Sequence, residues 1–472
     1  MMRRIRGREG LAGIGGMMTE DTIAALATPL GEGGLAVVRV SGREAVARVS
    51  SCFRGPGKRD AGLERVPSHT LHYGHIYRDG SLVDEVLVGV MRAPRTFTRE
   101  DVVEISCHGG VVVARAVLET VLASGIRLAG PGEFTLRAFL NGRIDLAQAE
   151  AVADVVHART DLALRAAQEQ LAGKLSRRIE RLREDLMEVL AHVEAHIDFP
   201  DEDIAPDTRD QLLGRLGAAV DFVDGLLATA AEGQLLRRGI RVAIVGLPNV
   251  GKSSLLNQLL GRDRAIVSAQ PGTTRDTLEE GANIRGIPVV FVDTAGLRES
   301  EDVIEQEGVR RSHRSVEQAD VILHVLDGSL GLRDEDRRNL EAWGGRKRVV
   351  VRNKVDLEQM LELPDGVGGV VGLSAATGEG IEMLKDAIRS LVWSGGVGGE
   401  MLEVMINARH KDALERSRGG LVRSQEALGA DQPLDLVALD LRAAVQAVGE
   451  VVGKTTTDDL LDRIFSRFCL GK

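Results

Sequence analysis

The chain has 472 residues, of which 43% are hydrophobic and 28% are charged, and its formal net charge is −10. This length is too great for one hydrophobic core, so we expect two to four domains in a chain with the composition of a globular protein. The negative charge excludes a global basic surface for nucleic acid, and an aromatic content of 3% argues against a broad base-stacking platform.

The N-terminal region begins with a short basic segment that is followed by strand patterns. Residues 1–17 contain only the short, glycine-rich run LAGIGG, which is not the core of a signal peptide. We expect either a disordered extension or an artefact of start-codon choice, with Met17 or Met18 as the true start. The segment GLAVVRVSG is typical of a strand, two more strands flank the turn Asp79-Gly80, and EDVVEISCHGG contains another. Residues 18–139 are therefore predicted to form a mixed α+β domain.

The middle of the chain changes from a helical pattern to an alternation of strands and helices. Residues 140–236 carry apolar residues at helical spacing, with one interruption that contains two prolines, IDFPDEDIAPDT. The runs IRVAIVG, VVFVDT, VILHVLD, RVVVRN and GVVGLS then alternate with helix-length segments, which predicts a doubly wound, mostly parallel α/β sheet over 237–395. Helical spacing returns over 396–472, after the flexible link SGGVGG, so this domain is predicted to be inserted into a helical one.

The segment GLPNVGKS, from Gly246 to Ser253, matches the phosphate-binding pattern G-x-x-x-x-G-K-S. It follows a strand pattern and precedes a helical one, a context in which backbone N–H groups surround phosphates. Lys252 is expected to reach the terminal phosphates, and the Ser253 hydroxyl to bind Mg2+. The predicted nucleotide contacts of this segment are Gly246, Asn249, Val250, Gly251, Lys252, Ser253 and Ser254.

Two later segments select the base. In NKVD, Asp356 can accept hydrogen bonds from two guanine N–H groups, whereas adenine lacks both donors and would leave a carboxylate unpaired. In SAATGEG, which begins at Ser374, backbone N–H groups can bind the guanine carbonyl. The predicted contacts are Asn353, Lys354, Val355, Asp356, Ser374, Ala375 and Ala376. Together with the phosphate-binding segment, they predict a site for GTP.

Between these motifs lie two segments that can sense the terminal phosphate. PGTTRD supplies Thr274, whose hydroxyl can join Mg2+, and DTAG supplies Asp293 and the Gly296 N–H. The residue after this glycine is Leu297, where Ras-like GTPases have a water-positioning glutamine. Another group must therefore orient the water, and Asn249 is a candidate cation ligand. The predicted contacts here are Ser268, Ala269, Gln270, Pro271, Gly272, Thr273, Thr274, Asp293, Thr294, Ala295 and Gly296.

Three further stretches carry a family resemblance: ATPLGEGGLAVVRVSG, PGEFTLRAFLNGRIDLAQAEA and FCLGK. From about Asp21 onward the chain resembles the MnmE (TrmE) family of tRNA uridine-modification GTPases. The resemblance implies an N-terminal folate-binding domain that forms a homodimer, and a MnmG-like flavoprotein partner that completes a heterotetramer. It also implies modification of C5 of the wobble uridine, position 34, in certain tRNAs. The added aminomethyl or carboxymethylaminomethyl group takes its one-carbon unit from 5-formyl- or methylene-tetrahydrofolate.

The resemblance also implies roles for individual residues. GTP hydrolysis in such proteins is activated by K+ when two G domains meet, and the K+ ligands fall on Asn249, Ser268, Gln270 and Thr273. The catalytic acid falls on Glu305. The folate contacts fall on Arg39, Glu104, Arg143 and Lys472. Some members of the family carry lysine at the Arg143 position.

The sequence contains three cysteines. The sparse set Cys52, Cys107 and Cys469 indicates a reducing compartment, and without a membrane-length apolar run we expect a cytoplasmic protein. Cys469 is either a group near the one-carbon unit or a buried apolar residue, and Cys107 is predicted to be buried.

Two other classes of GTPase are alternatives. A ribosome-assembly GTPase would need a basic appendage after the G domain, where this sequence is mixed in charge. A dynamin-like GTPase would need an apolar or basic amphipathic segment, which the sequence does not show.

Overall fold

The computed structural model describes residues 21–56, 62–198, 206–261, 280–292, 315–393 and 405–472. By the density of its internal contacts the chain divides into two compact units. The first contains residues 1–153, 176–184 and 445–472, and the second contains residues 154–175 and 185–444.

The first unit is built on a seven-stranded sheet with the order β3-β4-β5-β6-β2-β1-β7. All neighbouring strands are antiparallel except β1 and β7. The turn Asp79-Gly80 joins β4 to β5, as the sequence predicts. The strands are β1 Ile23–Leu26, β2 Gly33–Ser41, β3 Phe53–Arg54, β4 Thr70–Arg78, β5 Ser81–Met91, β6 Val102–Gly109 and β7 Arg127–Leu128.

Alternating side chains give this sheet one covered face and one open face. Helices α1 (Ala45–Cys52) and α2 (Val111–Ala123) pack against the covered face, where Val38, Val88 and Ile105 are fully buried. The unit also contains helix α3 (Glu133–Leu140) and the start of α4 (Leu146–His157). The last helix of the chain, Asp458–Phe465, buries Leu461 and Phe465 in a small core with α4.

The second unit contains a six-stranded sheet with the order β13-β12-β11-β8-β10-β9. The five strands from β13 to β10 are parallel, and β9 pairs antiparallel with β10 at the edge. Their strongly apolar sequences fit strands that are buried on both faces. The strands are β8 Ile240–Val245, β9 Glu280–Ile284, β10 Ile287–Phe291, β11 Val321–Asp327, β12 Arg348–Asn353 and β13 Val370–Gly372.

Helices cover both faces of this second sheet. Helices α9 (Lys252–Gly261) and α11 (Ile381–Val392) pack on one face, and α10 (Asp334–Ala342) packs on the other. The sheet is therefore doubly wound and mostly parallel, and with the first unit it confirms the predicted α/β and α+β multidomain fold.

The remaining helices form the long helical part of the chain. Helix α12 (Ala408–Gly429) starts where the Asn407 side chain accepts a 2.7 Å hydrogen bond from the His410 N–H, a capping arrangement typical of helix starts. It packs against α7 (Pro206–Ala228). The others are α5 Asp161–Leu171, α6 Lys174–Asp198, α8 Ala230–Arg238, α13 Leu434–Val452 and α14 Asp458–Phe465. No helix within the described ranges has both the length and the apolarity to cross a membrane.

Candidate functional site

The P-loop lies between β8 and α9, as its sequence predicts. The Lys252 ammonium lies inside the loop, where it donates hydrogen bonds to the carbonyl oxygens of Gly246 (3.0 Å) and Leu247 (2.7 Å). Burial lowers the pKa of Lys252. Asn249, at the exposed tip of the loop, has a φ of 63°, while Ser253 and Ser254 open the helix with exposed side chains. The loop therefore presents a cation and a helix N-terminus on one side.

Asn353 joins the P-loop to the segment 374–380, which is predicted to bind the base and is here called the base-facing loop. Its Nδ2 donates a 2.7 Å hydrogen bond to the Val250 carbonyl, and its Oδ1 accepts a 2.9 Å hydrogen bond from the Ala375 N–H. Gly251 makes this approach possible, because a Cβ at that position would lie 2.2 Å from Asn353 Nδ2, and because its φ is +97°. Three predicted segments of the nucleotide site thus meet at one buried amide.

The two segments predicted to bind the base, NKVD and SAATGEG, follow β12 and β13. Lys354 Nζ donates a 2.6 Å hydrogen bond to Asp327 at the end of β11, which fixes the lysine beside the P-loop. Val355 is half-buried and Asp356 is exposed at the end of the same segment. Ser374 and Ala375 are buried, and Ala376 is exposed. The carboxyl ends of neighbouring parallel strands bring these segments to one edge of the sheet, the usual ligand site of such sheets.

The two phosphate-sensing segments lie outside the described residues. The predicted contacts that fall there are Ser268, Ala269, Gln270, Pro271, Gly272, Thr273, Thr274, Asp293, Thr294, Ala295, Gly296 and Glu305. Strands β9 and β10, which lie between these segments in sequence, are described, and β10 pairs with the strand that leads into the P-loop.

A second cluster lies on the open face of the first sheet. Arg39 on β2 pairs with Glu104 on β6 at 2.8 Å, and Arg39 also donates a 3.1 Å hydrogen bond to the Gly471 carbonyl, 432 residues further along the chain. The Arg39 guanidinium lies 5.9 Å from the centre of the Phe134 ring. A polar pair, an aromatic ring and the last residues of the chain thus meet at one place.

The tail that reaches this cluster is fixed by close backbone contacts. Gly471 has a φ of +84°, and a Cβ there would lie 2.2 Å from the Leu26 carbonyl oxygen. The Gly132 N–H also donates to the Cys469 carbonyl at 3.4 Å, and the Lys472 N–H to the same oxygen at 3.3 Å. The tail is therefore seated against β1 and the start of α3.

Arg143 lies beside the same aromatic cluster. Its guanidinium is 5.5 Å from the centre of the Phe97 ring and donates a hydrogen bond to the Thr96 carbonyl. Phe97 packs against the small core that contains Phe134. The sequence analysis predicts a site role for neither phenylalanine, although Phe134 lies in the stretch PGEFTLRAFL that carries the family resemblance. Each belongs to a segment whose apolar residues are expected in a core, so only the structure places these rings beneath the two arginines.

The cysteines differ in their surroundings. Cys107 is 1% exposed, and burial raises its pKa to about 11, which confirms the prediction that it is buried. Cys469 is half-buried in the docked tail.

The doubly wound sheet and its motifs define the class of the protein. A P-loop follows β8, and the segments NKVD and SAATGEG follow β12 and β13 at the same edge of the sheet. This order of motifs on this fold is that of a P-loop GTPase.

Comparison with other proteins identifies the family. The model described as GTP-binding protein TrmE N-terminus matches residues 22–143, and the model described as MnmE helical domain matches residues 146–469. The tRNA modification GTPase MnmE of Geobacillus kaustophilus is 48% identical over 466 residues, covering 96% of this chain and 100% of the relative. That of Geobacter sulfurreducens is 47% identical over 461 residues, covering 97% and 100%. The chain belongs to the MnmE family.

Among solved structures, Aquifex aeolicus Era bound to GDP.AlF4- matches with 30% identity. The match covers 38% of this chain and 66% of that one, with a TM-score of 0.25.

Proposed function

We propose that this chain hydrolyses GTP and, with a flavin-dependent partner similar to MnmG, modifies C5 of the wobble uridine in certain tRNAs. The observation that carries the proposal is the presence of two separate sites in a member of the MnmE family: the nucleotide motifs on the second sheet, and the polar cluster of Arg39, Glu104 and the tail on the first. The proposed domains are 18–139, an inserted G domain over 237–395, and a helical domain over 140–236 and 396–472.

The direct test is the nucleoside composition of tRNA. Deletion of the gene is expected to remove the aminomethyl or carboxymethylaminomethyl group from wobble uridine, as measured by mass spectrometry of digested tRNA. The wild-type chain should restore it, and Asp356→Ala should not. An unchanged profile in the deletion strain would overturn the proposal in favour of a ribosome-assembly GTPase.

In the G domain we assign guanine recognition to Asp356 and to the backbone N–H groups of 374–376. Lys252 binds the terminal phosphates. The hydroxyls of Ser253 and Thr274 are hard oxygen ligands that would hold Mg2+. Support comes from Ser253, which is the second residue of the helix after the P-loop. When bound, Mg2+ neutralises charge on the terminal phosphates.

For hydrolysis we propose Glu305 as the acid that orients the attacking water, and K+ as the activating cation. Leu297 cannot position water, so both functions need other groups. The proposed K+ ligands are Asn249, Ser268, Gln270 and Thr273. Support comes from Asn249, whose left-handed backbone and exposed position at the tip of the P-loop suit a ligand beside the phosphates.

For the one-carbon chemistry we propose that a tetrahydrofolate derivative, 5-formyl- or methylene-tetrahydrofolate, binds at Arg39, Glu104, Arg143 and Lys472. The Glu104 carboxylate can accept from the amino group of a pterin, and the arginines can bind its glutamate tail. The Phe134 and Phe97 rings lie against the two arginine guanidinium groups, which supports fixed positions for both cations. Cys469 lies in the same tail, and we propose that its thiol lies near the one-carbon unit.

We propose a homodimer formed through the open face of the first sheet. Leu71, Tyr73 and Leu87 are 74%, 45% and 46% exposed there, and burial of these side chains against a second copy would stabilise the dimer. Strand register places Leu71 in the same row as Glu104 and Arg39, so the dimer contact adjoins the folate residues. We further propose that the dimer acts in the cytoplasm and binds two copies of the flavoprotein in a heterotetramer.

A further inference from the structure

One side chain of the helix that follows the P-loop reaches the base-facing loop. Gln258 lies on α9, and its Nε2 donates a 3.1 Å hydrogen bond to the Ala375 carbonyl oxygen. Its amide also lies against Gly378, since a Cβ at that glycine would be 3.5 Å from Gln258 Oε1. Gln258 belongs to none of the nucleotide-binding motifs, yet it lies against two residues of the base-facing loop, Ala375 and Gly378.

The Ala375 backbone is therefore held by two side chains from different elements. Its N–H donates to Asn353 Oδ1 at 2.9 Å, and its carbonyl accepts from Gln258. Ala375 itself is 4% exposed. Because hydrogen bonds fix both polar groups of this residue, the peptide planes on either side of it have little freedom to rotate. The Ser374 N–H donates to the Glu379 carbonyl at 3.0 Å. The plane between residues 375 and 376 carries the Ala376 N–H, and we assign this N–H to the guanine carbonyl.

We propose that Gln258 is a positioning residue for guanine recognition. By holding the Ala375 carbonyl, it orients the Ala376 N–H of the same peptide plane toward the carbonyl at C6 of guanine. The proposal rests on the guanine site of the proposed function. Gln258 acts only through Ala375, so loss of its hydrogen bond weakens recognition of the C6 carbonyl and leaves the Asp356 contact to the two guanine N–H groups unchanged.

The two contacts to the base can be separated with inosine triphosphate, ITP. This nucleotide keeps the C6 carbonyl of GTP and lacks the amino group at C2. Gln258→Met has a similar length and no donor, and it should bind GTP and ITP about five- to tenfold more weakly, by the same factor. The KM for GTP should rise by that factor while kcat changes little. In contrast, Asp356→Ala should reduce the preference for GTP over ITP.

Rescue and control variants distinguish positioning from packing. Gln258→Lys returns a hydrogen-bond donor and should recover most of the affinity for GTP. Gln258→Glu places a carboxylate against the Ala375 carbonyl and should bind GTP more weakly than Gln258→Met does. Asn257→Ala changes the exposed neighbour on the same helix and should bind GTP as the wild type does. Thermal unfolding of each full-length variant shows whether the fold is intact.

Wild-type affinity in Gln258→Met would overturn the inference, as would an altered ratio of GTP to ITP affinity in that variant. Equal binding by Gln258→Lys and Gln258→Met would also overturn it. Failure of the wild-type chain to bind GTP would instead contradict the proposed function, so the two failures are distinguishable.

Discussion

The two candidate sites of this molecule are built in different ways. The P-loop and the segments NKVD and SAATGEG lie within residues 246–380 and meet where the parallel strands of one sheet end. The proposed contacts of that site are mainly backbone groups, and the Asn353 amide joins two of its described loops. The cluster on the first sheet depends on side chains that project from an open sheet face, and its Arg39 contacts a carbonyl 432 residues away.

This difference shows which changes should damage each site. A site made of backbone groups tolerates many substitutions and fails when a recognition group or a loop anchor is lost. A site made of distant segments fails when any one of them is displaced, even if that segment carries no reacting group. If the two sites are separate, each can be disabled while the other keeps its activity.

The largest expected effect is on base recognition. Asp356→Asn replaces an acceptor of two guanine N–H groups with an amide that presents a donor to one of them. Hydrogen bonds to a charged group contribute about 1.5–3 kcal/mol each, so the affinity for GTP should fall by about a thousandfold. The affinity for xanthosine triphosphate should rise, because xanthine presents a carbonyl in place of the amino group. Nucleotide titration measures both changes, and equal binding of GTP by wild type and variant would contradict the assignment.

A second prediction separates the stabilities of the two units. His324 on β11 is fully buried beside Trp343, both ring nitrogens lack a hydrogen-bond partner in the described part of the chain, and burial lowers its pKa to about 4. The unfolded chain binds a proton near its ordinary value of 6.5. The neutral His324 ring therefore costs the second unit no stability above about pH 6.5. As the pH falls from there to 4, the free energy of unfolding of this unit decreases by about 3 kcal/mol.

Thermal unfolding between pH 7 and pH 4 checks this prediction. His324→Leu should flatten the loss of stability in the unit that contains the G domain, and His192→Leu, an exposed histidine in the same unit, should leave it unchanged. An identical pH dependence in wild type and His324→Leu would contradict the role of the buried ring.

The third prediction concerns the docked tail. In Gly471→Val the new Cβ would overlap the Leu26 carbonyl, and the backbone conformation would be strained as well, so the tail must move away from Arg39. We expect tRNA modification to fall more than tenfold while GTP turnover stays near normal. Leu470→Ala, which changes the exposed neighbour, serves as the control. Cys469→Ser in the same assay tests the thiol, and retained modification would remove it from the chemistry.

The fourth prediction concerns catalysis without a change in affinity. Glu305→Ala should lower kcat for GTP about tenfold or more, which corresponds to at least about 1.4 kcal/mol of transition-state stabilisation. GTP affinity should remain near that of the wild type, because a group that orients water acts mainly in the transition state. Normal turnover in this variant would show that another residue orients the water.

The smallest expected effect is the response to monovalent cations. GTP hydrolysis should be faster in K+ than in Na+ by several-fold, since a cation beside Asn249 can balance charge in the transition state. Asn249→Ala should abolish the difference between the hydrolysis rates in K+ and in Na+. The rate of tRNA modification should depend on the cation only through the rate of GTP turnover. Equal rates of the wild-type chain in the two salts would contradict K+ activation.

The sequence predicts the second sheet and its motifs better than it predicts the cluster of Arg39, Glu104 and the tail on the first sheet. Strongly apolar runs such as Val321–Asp327, separated by helix-length segments, are sufficient to identify a parallel sheet and the edge at which its motifs meet. No spacing relates Arg39 to Gly471, because that contact depends on how a distant segment docks, and only the family resemblance indicated that both ends belong together. Gln258 carries no signal either, since a half-buried glutamine on a helix looks like any other surface residue.

The contact between Arg39 and Gly471 also has a consequence for protein synthesis. At about 5–20 residues per second, a ribosome needs about 20 to 90 seconds to make the 432 residues between them. During that time the strands of the first unit leave the exit tunnel without the segment that completes their open face, while the whole second unit is made and can fold. A product truncated before the tail would therefore contain the nucleotide motifs of the second unit and lack the Gly471 carbonyl to which Arg39 donates.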